Sequence, residues 1–299
     1  MFDKIVGNQK IIDTLEKSVK QDKTSHSYLF VGIPGIGKRL VAIELAKMLL
    51  CLDDNKYCNK CKSCIEFDTN NNPDYVYIEP DGNNIKIEQI RNLQKSIQEK
   101  PIISTRKVFI INDADLMTKE AQNCLLKTLE EPPKFSTIIL VGSNETAFLP
   151  TIKSRCTILY FNKINDQQIK EYLKEHYNIE SINPNMLEMF QGSIGKALVL
   201  KDKQEIYKTL ESIVEDMKQR DLIDIINDAE ILYKSKEEIQ DMLEYLNIIL
   251  LRKSKQASLY TNCIKIVENT KKRLKQNANY DMTIDDMLFK MWEELVWKI

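Results

Sequence analysis

Apolar residues recur at helical spacing near the N-terminus (Ile11, Ile12, Leu15, Val19), predicting an amphipathic helix over residues 9–20. A compact apolar run, Tyr28-Leu29-Phe30-Val31, then predicts a short buried strand. It leads through a glycine-rich loop into an apolar-rich helix over 40–50. Residues 74–79 predict a second strand and 85–98 a helix. Residues 107–111 (KVFII) predict a third strand, nearly continuously apolar, as a strand covered on both faces is. A helix follows over 118–130, with Thr118 as N-cap and Pro132-Pro133 as its stop. Runs at 137–141 and 158–161 predict two more strands. Strands alternating with helices imply a parallel sheet with helices on its faces.

After Phe161 the pattern becomes helical only. Helices are predicted over 165–176, from Asn183-Pro184 onward, and over 193–201. Beyond about residue 205 the spacing predicts about five longer amphipathic helices. One carries Leu243, Leu246, Ile249 and Leu250, and the last carries Met287, Leu288, Met291, Trp292 and Leu295. Glycine usage agrees: there are 8 Gly and 8 Pro in 299 residues, and none of either after Gly195. A stretch that long without backbone breakers does not build tight hairpins.

Charge narrows the function classes. Lys+Arg is 43 and Asp+Glu 44, a formal net charge of −1, so the whole molecule is not a basic nucleic-acid binder. No apolar run reaches the roughly 18–20 residues of a membrane span, and the N-terminus lacks a signal pattern, so a cytoplasmic location with no membrane partner is expected.

Three of the glycines fall in Gly32-Ile33-Pro34-Gly35-Ile36-Gly37-Lys38, which fits the first seven positions of the phosphate-loop pattern G-x-x-x-x-G-K-[ST]. Small residues let successive backbone N–H groups wrap phosphates, and Lys38 would reach the terminal ones. The eighth position is Arg39, which has no acceptor atom and cannot hold the Mg²⁺ that Ser or Thr holds. The apolar strand that should end in an acidic pair ends Ile111-Asn112-Asp113. If Asn112 stands where the Mg²⁺-binding carboxylate belongs, a second ligand to the same ion is weakened. Two departures on one ion predict a chain that does not turn over ATP, while Lys38 and the loop amides leave room for bound ATP or ADP.

Cys51-x6-Cys58-x2-Cys61-x2-Cys64 supplies four soft ligands in a polar segment with no core to enter. That spacing predicts a structural zinc site at 51–64, closed by four thiolates and without an open position for catalysis. Cys124, Cys156 and Cys263 are expected to be buried or neutral thiols.

These motifs together resemble the bacterial clamp-loader branch of the AAA+ proteins. The resemblance rests on His26-Ser27-Tyr28-Leu29-Phe30 running into the glycine loop, the cysteine insertion, and Leu125-Leu126-Lys127-Thr128-Leu129-Glu130-Glu131-Pro132-Pro133. It continues in Leu149-Pro150-Thr151-Ile152 and Ser154-Arg155-Cys156, and covers roughly residues 5–200. It implies a RecA-like AAA+ domain over 1–163 with the zinc module, a helical lid over 164–206, and an all-α collar over 207–299. Within that branch the chain is similar to the non-hydrolysing kind of subunit rather than to the ATP-hydrolysing tau/gamma motor. In that kind, Arg155, flanked by Ser154 and Cys156, reaches the ATP of a neighbouring tau/gamma subunit as an arginine finger. In hydrolysing relatives a lid arginine after a Gly-Ser pair senses nucleotide; here Gly192-Ser193-Ile194-Gly195-Lys196 puts Gly195 near that place. Val6-Gly7-Asn8-Gln9 resembles the segment on the adenine side. The implied partners are tau/gamma and delta subunits in a hetero-pentamer, which loads a sliding clamp on primed DNA during DNA replication. The polymerase activity then belongs to the DNA polymerase III holoenzyme, not to this chain. A tau/gamma-type ATPase motor, or a zinc-stabilised interaction module of another replication or repair complex, are the competing readings.

Overall fold

The computed structural model describes residues 2, 5–255 and 257–296. Its contacts divide it into two compact units: residues up to Asn178 together with Gly192–Gly195, and Ile179–Gln191 together with the chain from Lys196 onward.

The first unit is α/β. In chain order it contains α1 (Gln9–Lys20), β1 (Ser27–Val31), α2 (Lys38–Leu50), α3 (Lys62–Asp68), β2 (Tyr75–Ile78) and α4 (Ile87–Ile97). Then come β3 (Lys107–Ile111), α5 (Lys119–Glu130), β4 (Ser136–Gly142), α6 (Pro150–Lys153), β5 (Thr157–Tyr160) and α7 (Asp166–Tyr177). The five strands form one parallel sheet in the order β2-β3-β4-β1-β5. The central strands β1, β3 and β4 are buried throughout, which explains their unbroken apolar runs, whereas the edge strands β2 and β5 are partly exposed. On one face Leu29, Phe109, Ile111, Ile138 and Leu140 pack with Ile90, Leu93 and Ile97 of α4 and Ala121, Leu125 and Leu129 of α5. α2 packs against β3 and β4 and is apolar nearly all round, as a core helix must be. Thr118 caps α5 as expected, accepting from the Ala121 N–H at 3.2 Å.

Because β1 lies between β4 and β5, the loops after β1 and β4 leave the sheet side by side: Val31 pairs with Gly142. This register brings the glycine loop next to Ser143, and places Asn112 and Asp113 one strand further out, after β3.

The second unit is all-α. It contains α8 (Pro184–Phe190), the greater part of α9 (Ile194–Leu200), α10 (Gln204–Asp216), α11 (Leu222–Asp228), α12 (Glu230–Lys234), α13 (Ile239–Ser254), α14 (Leu259–Lys275) and α15 (Tyr280–Val296). Asn183 caps α8 through its side chain, with Pro184 in the first turn. Beyond residue 205 the described residues hold six helices rather than about five. The helical stretch from 222 breaks at Ala229, whose ψ of 8° leaves the helical region, giving the short α11 and α12. The core pairs Tyr207 with Tyr245 at 4.5 Å between ring centroids, and Glu211 accepts from Tyr245 Oη and from the amides of Asn183 and Asn185. No helix among the described residues is long and apolar enough to cross a membrane.

Candidate nucleotide, metal and interface sites

The glycine loop does what its sequence predicts locally: it carries the chain from β1 into α2, with Gly37 at the helix N-cap in a left-handed conformation. Its lysine is occupied. Lys38 Nζ donates to the carbonyls of Gly32 (2.6 Å) and Ile33 (2.8 Å) and reaches Ser143 Oγ at 3.3 Å. An ammonium has three protons, so two bonds within its own loop and one to Ser143 after β4 use its whole donor capacity.

The segment Gly192–Gly195 packs directly on the loop. Gly195 N–H donates to Gly35 O at 2.8 Å. A Cβ on Gly35, already at φ +74°, would stand 2.4 Å from Ser193 Oγ and 2.9 Å from Gly195 Cα, and one on Gly195 would stand 2.7 Å from Gly35 Cα. Each glycine therefore admits the other's backbone. A side chain as long as arginine at position 195 has no room in this arrangement. Packing alone accounts for glycine at 35 and 195, whether or not phosphate is bound.

Arg39, Asn112 and Asp113, which stand at the positions compared above with Mg²⁺ ligands, make contacts within the chain. Arg39 lies with its guanidinium 5.2 Å from the centre of the Tyr77 ring on β2, a cation–π contact. Asn112 is buried, and its amide donates to Asp113 Oδ2 at 2.9 Å instead of offering a carboxylate. Burial, and then the neighbouring Asp115, push the Asp113 carboxyl above its ordinary value, while Lys38 and Arg39 oppose the shift. Sequence reading missed Asp115 and Ser143. Asp115 Oδ2 accepts from the Asn144 N–H (3.1 Å), and its charge acts on Lys38. The signal for both is topological: polar residues that follow β3 and β4 lie beside the glycine loop only once the strand order is known.

Lys38 is 5% exposed, and burial pulls its pKa down to about 8 against the raising effect of Asp115 and Asp113. The folded chain thus releases this proton before the unfolded chain does. Between about pH 8 and 10.5 the unfolded state binds more protons, so stability contributed by this group rises with pH. In paired denaturation curves, the unfolding free energy of wild type relative to Lys38→Met should climb across that window. A flat difference would show that Lys38 is hydrated rather than buried.

The four cysteines come together. The Sγ atoms of Cys51, Cys58, Cys61 and Cys64 all lie within 4.8 Å of one another, and Cys51 and Cys58 are 3.7 Å apart. Four thiolates at about 2.3 Å from a tetrahedral ion have edges of roughly 3.8 Å, so the set fits such an ion. Backbone N–H groups of Lys60 and Cys61 hold the Cys58 thiol down to about 6, favouring the ligating thiolate, while burial pushes Cys51 and Cys64 up when no ion is present. Cys51 ends α2 and Cys64 lies on α3, a helix the sequence pattern did not predict. A buried polar network fastens this module to the end of α2 and to the loop before β3. Asn72 Nδ2 donates to Ser63 O and Oγ, Ser63 meets Ser104, and Ser104 Oγ donates to Leu50 O. Beside it, buried Asp74 accepts backbone N–H groups from Ile102, Ile103 and Ser104 at 2.7–2.8 Å. The other thiols are ordinary: Cys263 is buried, and burial raises Cys156 to about 11.

Ser154, Arg155 and Cys156 follow α6 directly. Cys156 turns toward the core, and Ser27 Oγ donates to Arg155 O at 2.7 Å, fixing the backbone. Ser154 Oγ donates to Thr151 O, and the Arg155 side chain leaves toward the surface, 32% exposed. Asn8, at the start of α1, bonds the backbone of Asn162 through both side-chain atoms, so the Val6–Gln9 segment is tied to the end of the sheet.

A family model described as DNA polymerase III, delta subunit, matches residues 7–165, more than half of the chain. The chain belongs to this family, a clamp-loader branch of the AAA+ proteins. Among its curated relatives, DNA polymerase III subunit delta' of Bacillus subtilis is 32% identical over 209 residues, 69% of this chain and 62% of that protein. DNA polymerase III subunit tau of the same organism is 30% identical over 278 residues, 88% of this chain and 48% of that protein. The chain thus spans less than two thirds of either relative. A solved gamma-subunit-related protein of Thermotoga maritima shares the fold, with a TM-score of 0.50 and 20% identity over 95% of this chain and 99% of that one. The relatives of the delta' and tau kinds stand at nearly equal identity to this chain, 32% and 30%.

Proposed function

We propose that this chain is a delta'-type clamp-loader subunit of DNA polymerase III, acting in DNA replication, which does not hydrolyse ATP itself. The single observation that carries the reading is the closure of the phosphate loop: Gly195 bonded to Gly35, with Lys38 spent on the carbonyls of Gly32 and Ile33. A nucleotide's phosphates would have to displace all three bonds. The Mg²⁺ that would accompany them meets an arginine at 39 and an amide at 112. What remains for the chain is assembly and the completion of a neighbour's site. On this reading residues 1–163 act as the RecA-like domain, 164–206 as the lid and 207–299 as the collar. The collar joins tau/gamma and delta subunits in a hetero-pentamer in the cytoplasm, and the assembly places a sliding clamp on primed DNA. Arg155 serves as an arginine finger toward the neighbour's ATP, with Ser154 and Cys156 as its motif neighbours and Ser27 holding its backbone. Contact with DNA is shared through the phosphate backbone, which suits a near-neutral subunit. Cys51, Cys58, Cys61 and Cys64 hold a structural zinc.

The test is turnover by the isolated chain. With Mg²⁺ and ATP we expect no phosphate release above that of Lys38→Ala. Mg²⁺-dependent turnover that Lys38→Ala abolishes would instead identify a tau-type motor.

A further inference from the structure

Arg155 is held inside its own subunit. Nη2 donates to Glu130 Oε1 at 2.5 Å, and Nη1 donates to Thr151 O (3.0 Å) and Ser154 Oγ (3.2 Å). Glu130 is the last residue of α5, where the helix dipole disfavours an anion; the Arg155 cation offsets that. The fit is incomplete, because Arg155 Nε is buried and has no hydrogen-bond partner. Guanidinium binds best as a fork that donates two parallel N–H bonds to one anionic group. Here Glu130 engages Nη2 and leaves Nε unused. The two side chains are 32% and 48% exposed, so the pair is a weak and reversible one.

We propose that Glu130 is a positioning residue that parks the Arg155 side chain until a phosphate group outcompetes it. The proposal rests on the finger reading of Arg155 given above. A terminal phosphate carries up to about two negative charges against one for Glu130, and it offers oxygens to the whole fork, Nε included. Docking against a loaded neighbour therefore exchanges one carboxylate contact for a stronger one, while docking against an empty neighbour leaves Arg155 on Glu130. The finger is thereby withheld from a site without nucleotide. Glu130 lies in the run Leu129-Glu130-Glu131-Pro132, so the residue that parks the finger belongs to one of the segments that mark the family.

The experiment uses the chain assembled with wild-type tau/gamma and delta subunits, with ATPase measured in the absence of DNA. Removing the parking charge with Glu130→Gln should raise the basal kcat by about two- to five-fold, the range an exposed ion pair controls. The KM for ATP should not rise, because removing the competing carboxylate favours the loaded state that Arg155 contacts. Glu130→Asp, which withdraws the carboxylate by one methylene, should move kcat the same way to a smaller extent. Both gains should vanish when Arg155→Ala is added, which a purely structural role for Glu130 would not require. An unchanged or lowered basal kcat in assembled Glu130→Gln overturns the parking role. If Arg155→Ala alone leaves ATPase intact, the finger reading itself fails, whatever Glu130 does.

Discussion

Stripping the zinc proposed for Cys51, Cys58, Cys61 and Cys64, or replacing Cys61 with serine, should lower the melting temperature by roughly 8–16 °C, the shift that a loss of about 4 kcal/mol produces in a unit of this size. Structural zinc contributes binding free energy of order 10 kcal/mol where the apo segment is unfolded. A smaller loss is expected here, because α2 and α3, which carry or adjoin Cys51 and Cys64, also pack against each other through their own side chains. The loss should be local. Amide exchange should rise over residues 51–68 and stay low in β1, β3 and β4, whose burial does not depend on the module. The Asn72–Ser63–Ser104 network bounds the damage, because it ties α3 to Leu50 at the end of α2 without using a cysteine. Metal analysis of the purified protein should give about one zinc per chain, as four-thiolate closure requires. Protein that contains no metal and melts identically with and without a chelator would refute the site.

The sheet was largely legible because its central strands must be apolar on both faces, and 107–111 and 137–141 have almost no polar residue. Glycine and cysteine spacing were legible because each demands a special backbone or a shared ligand. The closure of the phosphate loop was not. It depends on Gly195 meeting Gly35 across 160 residues of chain, and a glycine at 195 reads in sequence only as a missing arginine. Asp115 and Ser143 were hidden for a related reason: they join the site through strand order, and no local pattern encodes that β4 lies beside β1. The helix α3 is hidden because it is only seven residues long, and its buried face of Ser63, Cys64 and Phe67 holds too few apolar positions to show a helical period. Glu130 sat in plain view within a motif, but only the fold shows which cation it holds. In the second unit the amphipathic stripes gave the helices but not the break at Ala229, because alanine is a good helix former and the break is set by packing.

Arginine fingers accelerate phosphoryl transfer by ~10³–10⁵ because a fixed cation meets charge that develops only in the transition state. Arg155→Ala should therefore leave assembly intact, since its exposed ion pair with Glu130 contributes little to folding. The loss should fall on the one ATP site that this chain would complete as the proposed finger subunit. Arg155→Lys should not restore it, because an ammonium cannot reproduce the planar fork. Total ATPase of the assembly should drop by that site's share, and by more if the neighbouring sites fire in sequence. The decisive measurement is DNA-stimulated ATPase of an assembly in which only this chain carries Arg155→Ala and all partners are wild type. A clear fall with the assembly intact is the result expected of a non-hydrolysing subunit that completes its neighbour's site; an undiminished rate would contradict it.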